Sequence, residues 1–482
     1  MILDEILKIL KNNSNSIAYR IGENKYTYKQ LYQYVCNIYH FLLENNKNKK
    51  PVVVYGAKEI YMKASFLACS FAGIPYVPID VNIPQDRIKS IINQINPSII
   101  IGNIENDDRT ISKNKIYEIM DNKNYDCISN IYMKPEDIYY IIFTSGTTGQ
   151  PKGVEVTYSN LNSCINWLKE ITGANKEIIL NQANFSFDLS VADLYLSLIT
   201  ESEHFILSNN IMMDFNKIFS ELKTSNATIA VMTPSFADLL MTDKAFSKEL
   251  LPNLKKIIFC GEKLLNSTVK KLYSRFKNIE IINTYGPTEC TFAVTSIVIP
   301  NNFEGDIPVG KPKNDCEIFI LDENRKEVPD GTKGEILITG ESVAKGYINV
   351  KSDKFMIYKG RKAYLTGDIG YLKNGILNVE GRKDSQIKYK GYRIELKDIE
   401  SNIMDLEDIE KVIVIPKKNE NKKVEMIIAF IKSNNKTEID IKKELKKKLP
   451  SYMIPKIKII QKFPINKNGK CDERKLLEDY CG

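Results

Sequence analysis

The chain has 482 residues, 43% of them apolar and 27% charged, with a formal net charge of +8. That length exceeds a single hydrophobic core and that balance excludes a disordered or fibrous chain, so at least two globular domains are expected. Only two histidines, His40 and His204, occur, which leaves almost nothing for a Ser-His-Asp device or a multi-imidazole metal site.

The opening MILDEILKIL carries Asp4 and Glu5 and no basic n-region, and no apolar run reaches transmembrane length. A cytoplasmic protein without membrane insertion is expected. Nine scattered cysteines without a CxxC pair read as reduced thiols. His40 falls in the amphipathic run YQYVCNIYHFLLE, and both histidines read as structural. PVVVYG, the helix-like KEIYMKASFLACSFAG, PYVPID, TIAVMTP, KKIIFCGE and IEIINTYG then alternate up to about Thr291. That alternation predicts α/β architecture with mainly parallel, buried strands whose end loops hold a ligand. Between about 292 and 380 the helical pattern stops, and CEIFILDEN, PDGTKGEILITG, KGYINV and KNGILNVEG predict a small β-barrel-like subdomain. After Gly381-Arg382 the pattern turns to α+β, so the expected domains are 1–382 and 383–482. The last hundred residues hold 24 Lys+Arg against 17 Asp+Glu, nearly the whole net charge. They present either a solvated lysine-rich surface or a basic face that steers an acidic macromolecule. Nucleic acid fits poorly, because the lysines of IKKELKKKLP lack interleaved aromatics.

Four segments carry chemistry. The strand Tyr139-Tyr140-Ile141-Ile142-Phe143 runs into TSGTTGQPKG, which offers the hydroxyls of Thr144, Ser145, Thr147 and Thr148, amides freed by Gly146, Gly149 and Gly153, and the ammonium of Lys152. Such donors suit polyphosphate oxygens, although the spacing is not GxxxxGK[ST]. NTYGPTE, residues 283–289, offers Tyr285 as an aromatic face and Glu289 as a carboxylate for Mg²⁺. YLTGD places Asp368 where its oxygens could accept from a ribose diol, and NGK ends on Lys470.

Taken in order, TSGTTGQPKG, FSFDLS, NTYGPTE, GEILITG, YLTGD, GRKDSQIKYKGYRIEL and NGK resemble the adenylate-forming superfamily of acyl-CoA synthetases, luciferases and nonribosomal-peptide adenylation domains. LNQANFSFDLSVADLY, MTPSFADLL and FCGEKL are most similar to the branch that loads D-alanine onto a carrier protein for teichoic acid D-alanylation. The resemblance implies a mobile C-terminal domain and two half-reactions. ATP converts a small amino acid to its acyl-adenylate, and the phosphopantetheine thiol of a small acidic carrier protein then takes the acyl group. It implies that Thr144 to Lys152 hold the β- and γ-phosphates, that Glu289 ligates Mg²⁺, and that Gly261, Glu262, Asn283, Thr284, Tyr285, Gly286 and Thr288 line the nucleotide. Asp368 would bind the ribose, Arg382 the ribose or phosphate, and Lys470 both the substrate carboxylate and the α-phosphate. Asp384 would be the hinge, turning the loop around Gly391 toward the site. Thr144, Glu289 and Lys470 are the expected catalytic residues, and a monomer is expected. Asp188 in FSFDLS, read as buried, would pair with the substrate ammonium, which excludes aryl and fatty acids. Cys260 and Phe292 would line the side-chain end of the pocket. Phe292 departs from the valine of the D-alanine branch, so a freestanding enzyme loading Gly, L-Ala, β-Ala or Ser in secondary metabolism is the alternative.

Overall fold

The structure is a computed structural model. It describes all residues except 13, 123–127, 147–148, 213, 421–422, 434, 465–470 and 482, and the side chain of 481. Contacts divide it into two compact units: Met1–Val81 with Gln94–Phe143 and Gly153–Lys383, and Asn82–Asn93 with Thr144–Lys152 and Asp384–Gly482.

The first unit is built around a nine-stranded sheet ordered Lys311–Pro312, Thr295–Ile299, Glu280–Tyr285, Lys256–Phe259, Ile229–Met232, Ile178–Asn181, Glu203–Ile206, Ile17–Ile21, Asn24–Thr27. Its six inner strands are parallel, and antiparallel strands close both edges. Side chains alternate across it with period two. Ile179, Val231, Ile258 and Ile282 enter the main core, whereas Leu180, Ala230, Met232, Ile257, Phe259 and Ile281 enter a second core on the opposite face. Burial on both faces explains why these strands read as continuous apolar runs. The main core also takes in Val52 and Val54 of a second sheet, whose strands Ile138–Thr144, Tyr76–Asp80, Val52–Gly56, Ile99–Ile101 and Thr110–Ile111 are parallel.

Two helices, Ile60–Ala72 and Leu189–Ile199, are buried at every position. They are core helices rather than amphipathic surface helices. The first ends at Gly73, whose φ of +70° lets the chain turn away in a left-handed cap.

Antiparallel strands Cys316–Leu321, Gly334–Gly340, Phe355–Tyr358, Arg361–Lys373 and Ile376–Arg382 form a separate sheet. The expected β subdomain from 292 is therefore drawn differently at its start. Thr295–Ile299 folds back on Glu280–Tyr285 as an antiparallel edge of the large sheet. Gly346–Tyr347, from the run KGYINV, pairs instead with Lys152–Thr157. Local β pattern specifies that a strand forms but not which sheet accepts it. In the second unit, the hairpin Gln386–Tyr389 and Tyr392–Glu395 precedes a three-stranded sheet of Ile409–Lys418, Val424–Ser433 and Lys456–Ile459, with helices Leu396–Met404 and Glu438–Lys448.

Candidate active site

Carboxyl ends of parallel strands are where loops of an α/β sheet hold ligands, and six of the expected residues, Cys260, Gly261, Glu262, Asn283, Thr284 and Tyr285, stand at two such ends. Lys256–Phe259 runs into Cys260, Gly261 and Glu262, and Glu280–Tyr285 ends on Asn283, Thr284 and Tyr285. Thr284 Oγ1 donates to the Phe259 carbonyl at 2.8 Å and Asn283 Nδ2 to the Pro308 carbonyl at 2.8 Å, so neighbouring segments are tied at this edge. Gly261 has a φ of +93°, and Glu262 Oε2 accepts from the Ser235 amide at 2.9 Å. At Gly286 an added Cβ would lie 2.6 Å from Ala293 Cα, which makes the close return of the chain glycine-dependent.

Tyr285, Asp368 and Arg382 converge. The Tyr285 hydroxyl donates to Asp368 Oδ2 at 2.6 Å, and Arg382 Nη1 donates to Oδ1 at 2.7 Å. Arg382 Nη2 reaches the Thr366 carbonyl at 3.1 Å, and Thr366 Oγ1 accepts the Asp368 amide at 3.0 Å. Burial, then the charge of Asp368, pushes the Tyr285 phenol well above its ordinary range, so it stays a neutral donor. Each carboxylate oxygen keeps a second lone pair, leaving Asp368 able to accept a ribose hydroxyl as well.

Thr288 and Glu289 sit in the short 3₁₀ turn Thr288–Cys290, and Glu289 is fully buried. Its Oε1 accepts from the Tyr347 hydroxyl at 2.5 Å, and Tyr347 lies 3.2 Å from the Tyr364 hydroxyl. Among the described residues no group of three or more His, Cys, Asp or Glu could hold a metal. Mg²⁺ on phosphate oxygens needs only one or two carboxylates, and Glu289 supplies such a hard oxygen donor.

Asp188 precedes helix Leu189–Ile199 at the N-cap position, yet its side chain caps no amide. It is partly exposed rather than buried as expected, because it stands where the segment enters the helix. Its charge acts on the buried Tyr140 phenol, pushed up first by burial. Cys260 and Phe292 are both core residues, and the Cys260 thiol lies 3.8 Å from the Phe292 carbonyl oxygen. Thr291 and Phe292 are consecutive left-handed residues, φ +56° and +71°, a strained conformation for side-chain-bearing residues.

The glycine-rich loop belongs to the second unit. Thr144 ends the strand Ile138–Thr144, and Lys152 opens Lys152–Thr157. Ser145 Oγ donates to the Arg393 carbonyl at 3.0 Å and accepts the Glu395 amide at 3.1 Å. The Gly146 amide donates to Asp398, which also meets Arg87 at 3.2 Å. A Cβ on Gly146 would lie 2.1 Å from the Gln150 carbonyl oxygen, and Gly149 has a φ of +78°. Thr147, Thr148 and Lys470 lie outside the described residues. Asp384 Oδ1 accepts the Gln386 amide at 3.3 Å. Sequence reasoning missed Tyr347 and Tyr140. A tyrosine in a β-rich run signals burial, and nothing in its spacing says that the Tyr347 hydroxyl reaches the Glu289 carboxylate or that the Tyr140 phenol feels the charge of Asp188.

Residues 8–348 match the AMP-binding enzyme family, and residues 398–470 match the AMP-binding enzyme C-terminal domain. The chain belongs to the AMP-binding enzymes. A D-alanine–D-alanyl carrier protein ligase of Bacillus licheniformis is 39% identical to it, with 99% of each chain covered. One of Bacillus cytotoxicus is 36% identical at the same coverage. Among solved structures, the Vibrio cholerae adenylation domain AlmE in complex with glycyl-adenosine-5'-phosphate has a TM-score of 0.86 at 21% identity, covering 99% of this chain and 97% of that one. The o-succinylbenzoate CoA synthetase of Bacillus subtilis has a TM-score of 0.84 at 18% identity, covering 98% of each. The AMP-binding enzyme is thus a ligase, with the fold of those two proteins.

Proposed function

We propose that this AMP-binding enzyme activates D-alanine with ATP and passes it to the phosphopantetheine thiol of a small acidic carrier protein. The observation that carries the reading is full-length similarity to ligases of that name, with 99% of each chain covered. Asp188 supports it, since a carboxylate at the substrate end suits an α-ammonium and not an aryl or fatty acid.

In the first step a carboxylate oxygen of the amino acid bonds to the α-phosphorus as the bond to pyrophosphate breaks. Asp188 holds the ammonium, and Lys470, by family resemblance, bridges the carboxylate and the α-phosphate. Thr144, Ser145, Gly146, Thr147, Thr148, Gly149 and Lys152 donate to the leaving phosphates, where preorganised donors lower the barrier. Asp368 and Arg382 hold the ribose side and Tyr285 packs on the base. Glu289 would hold Mg²⁺, whose charge would offset that of the phosphate oxygens. In the second step the thiol sulfur bonds to the acyl carbon and AMP leaves. Cys260 and Phe292 close the side-chain end and limit substrate size. The enzyme works as a cytoplasmic monomer, and Asp384 is the pivot between the two steps.

Amino-acid-dependent pyrophosphate exchange over D-Ala, L-Ala, Gly, β-Ala and D-Ser tests the reading. D-Ala is expected to lead, and a preference for an acid without an α-ammonium would overturn it.

A further inference from the structure

A buried polar cluster at the two ends of the segment that carries Asp188 has no part in the proposed reaction. Lys58 is 1% exposed, in the turn between the strand Val52–Gly56 and the helix Ile60–Ala72. Its backbone is left-handed, φ +65°, and its carbonyl accepts the Tyr19 hydroxyl. A lysine rarely adopts that conformation without a surrounding structure that holds it there.

The ammonium has three protons and meets three acceptors, all oxygens: Asn181 Oδ1 at 3.1 Å, the Gln182 carbonyl at 2.9 Å and the Leu207 carbonyl at 2.9 Å. These acceptors stand at the carboxyl ends of the adjacent parallel strands Ile178–Asn181 and Glu203–Ile206. Asn181 passes the connection on, because its Nδ2 donates to Asp193 Oδ1 at 2.9 Å. The same oxygen lies 2.9 Å from His204 Nε2. Asn181, Asp193 and His204 are all fully buried. Burial pushes the Lys58 ammonium down to about 8, against the charges of Asp193 and Asp80 that raise it.

Asp188 sits between the two tethered points. Gln182, held through its carbonyl, precedes it by six residues, and Asp193, held through Asn181 and His204, follows it by five. Both ends of the segment 182–193 are therefore fixed by one hydrogen-bonded chain that begins at Lys58.

We propose that Lys58 is a positioning residue for the amino acid subsite, fixing the segment that carries Asp188 through Gln182 and the Asn181–Asp193 pair. The inference rests on the reading of Asp188 as the ammonium ligand. Lys58 touches no substrate, so its loss should displace Asp188 while leaving the nucleotide side, built from residues 261–289 and 368–382, in place. A displaced ligand costs on the order of 10-fold or more.

The test is pyrophosphate exchange with D-alanine, measuring KM for D-alanine and for ATP separately. Parent, Lys58→Met, Lys58→Gln, Asp188→Asn and the Lys58→Met/Asp188→Asn double variant are compared, with thermal melting as the folding check. The proposal expects about a 10-fold or larger rise in the D-alanine KM for Lys58→Met, a smaller rise for Lys58→Gln, and an ATP KM within about 2-fold of the parent. In the double variant the Lys58 change should add little, since its route of action is already gone. Should Lys58→Met fail to fold, Lys58→Gln, which keeps two donors, decides. Both KM values rising together, neither rising, or loss of folding in both variants would make Lys58 a general structural residue and overturn the proposal. An unchanged D-alanine KM in Asp188→Asn would instead remove the reading of Asp188 itself.

Discussion

Asp368 takes a hydrogen bond from Tyr285 and an ion pair from Arg382 on different oxygens, at 2.6 and 2.7 Å, so the ribose proposed to bind there would share a carboxylate whose direction is already set. Tyr285→Phe keeps the ring for the base and removes one orienting bond. A hydrogen bond to a charged group contributes about 1.5–3 kcal/mol, so the KM for ATP should rise roughly 10-fold or more while that for the amino acid stays near the parent value. Equal rises in both would detach Tyr285 from the nucleotide. A matching prediction concerns Phe292, proposed to line the side-chain end of the substrate pocket. Its buried ring lies in the core that also holds Cys260, and one methylene more or less in a packed pocket changes selectivity by about 10- to 200-fold. Phe292→Val should therefore improve D-2-aminobutyrate relative to D-Ala in the exchange assay, and an unaltered ratio would place the ring outside the pocket.

Elements were legible in the sequence where one physical signal was enough. PVVVYG, KKIIFCGE and IEIINTYG became the strands Val52–Gly56, Lys256–Phe259 and Glu280–Tyr285, since short apolar runs between turn residues have few other fates. The motifs single out Tyr285 and Asp368 as expected site residues, but nothing in them announces the hydrogen bond that joins the two across 83 positions. Charges inside buried helices were the least legible. KEIYMKASFLACSFAG looks amphipathic because of its lysines, yet Lys63 is fully buried and donates to the Ala18 carbonyl at 3.2 Å and Ser197 Oγ at 3.4 Å. Those acceptors come from distant elements, and no local pattern announces them. Burial pushes the Lys63 ammonium from 10.5 down to about 7. Between about pH 7 and 10.5 the unfolded chain then binds the proton that the folded chain has released, so stability rises with pH across that window, by at most about 1.4 kcal/mol per unit. Lys63→Met removes this contribution. Denaturant midpoints at pH 7.5 and 9.5 should show a larger gain for the parent than for Lys63→Met, and parallel gains would mean that Lys63 stays charged in the fold.

At the scale of the whole molecule, sheet pairing marks where the chain changes unit. The ladder between Arg361–Lys373 and Ile376–Arg382 ends on Asp368↔Arg382, the Lys383 amide still reaches the Gly367 carbonyl at 2.9 Å, and the next ladder begins at Gln386↔Glu395. Asp384 follows the last anchored residue. Proline there would fix φ near −65°, so Asp384→Pro is expected to keep amino-acid-dependent pyrophosphate exchange and lose carrier loading; both activities surviving would remove the hinge. Beyond that point lies the basic part of the chain, and its helix Glu438–Lys448 exposes Lys442, Lys443, Lys446 and Lys447 while burying Ile441 and Leu445. An acidic carrier approaching such a surface gains rate from the field rather than from contacts. The Debye length falls from about 30 Å at 0.01 M salt to about 8 Å at 0.15 M, so loading at subsaturating carrier should slow by roughly 10-fold over that range. Exchange without carrier involves no such encounter and should change little. Replacing the four lysines with glutamine should flatten the salt dependence of loading without altering exchange; if the slope persists, the steering charge lies elsewhere on the molecule.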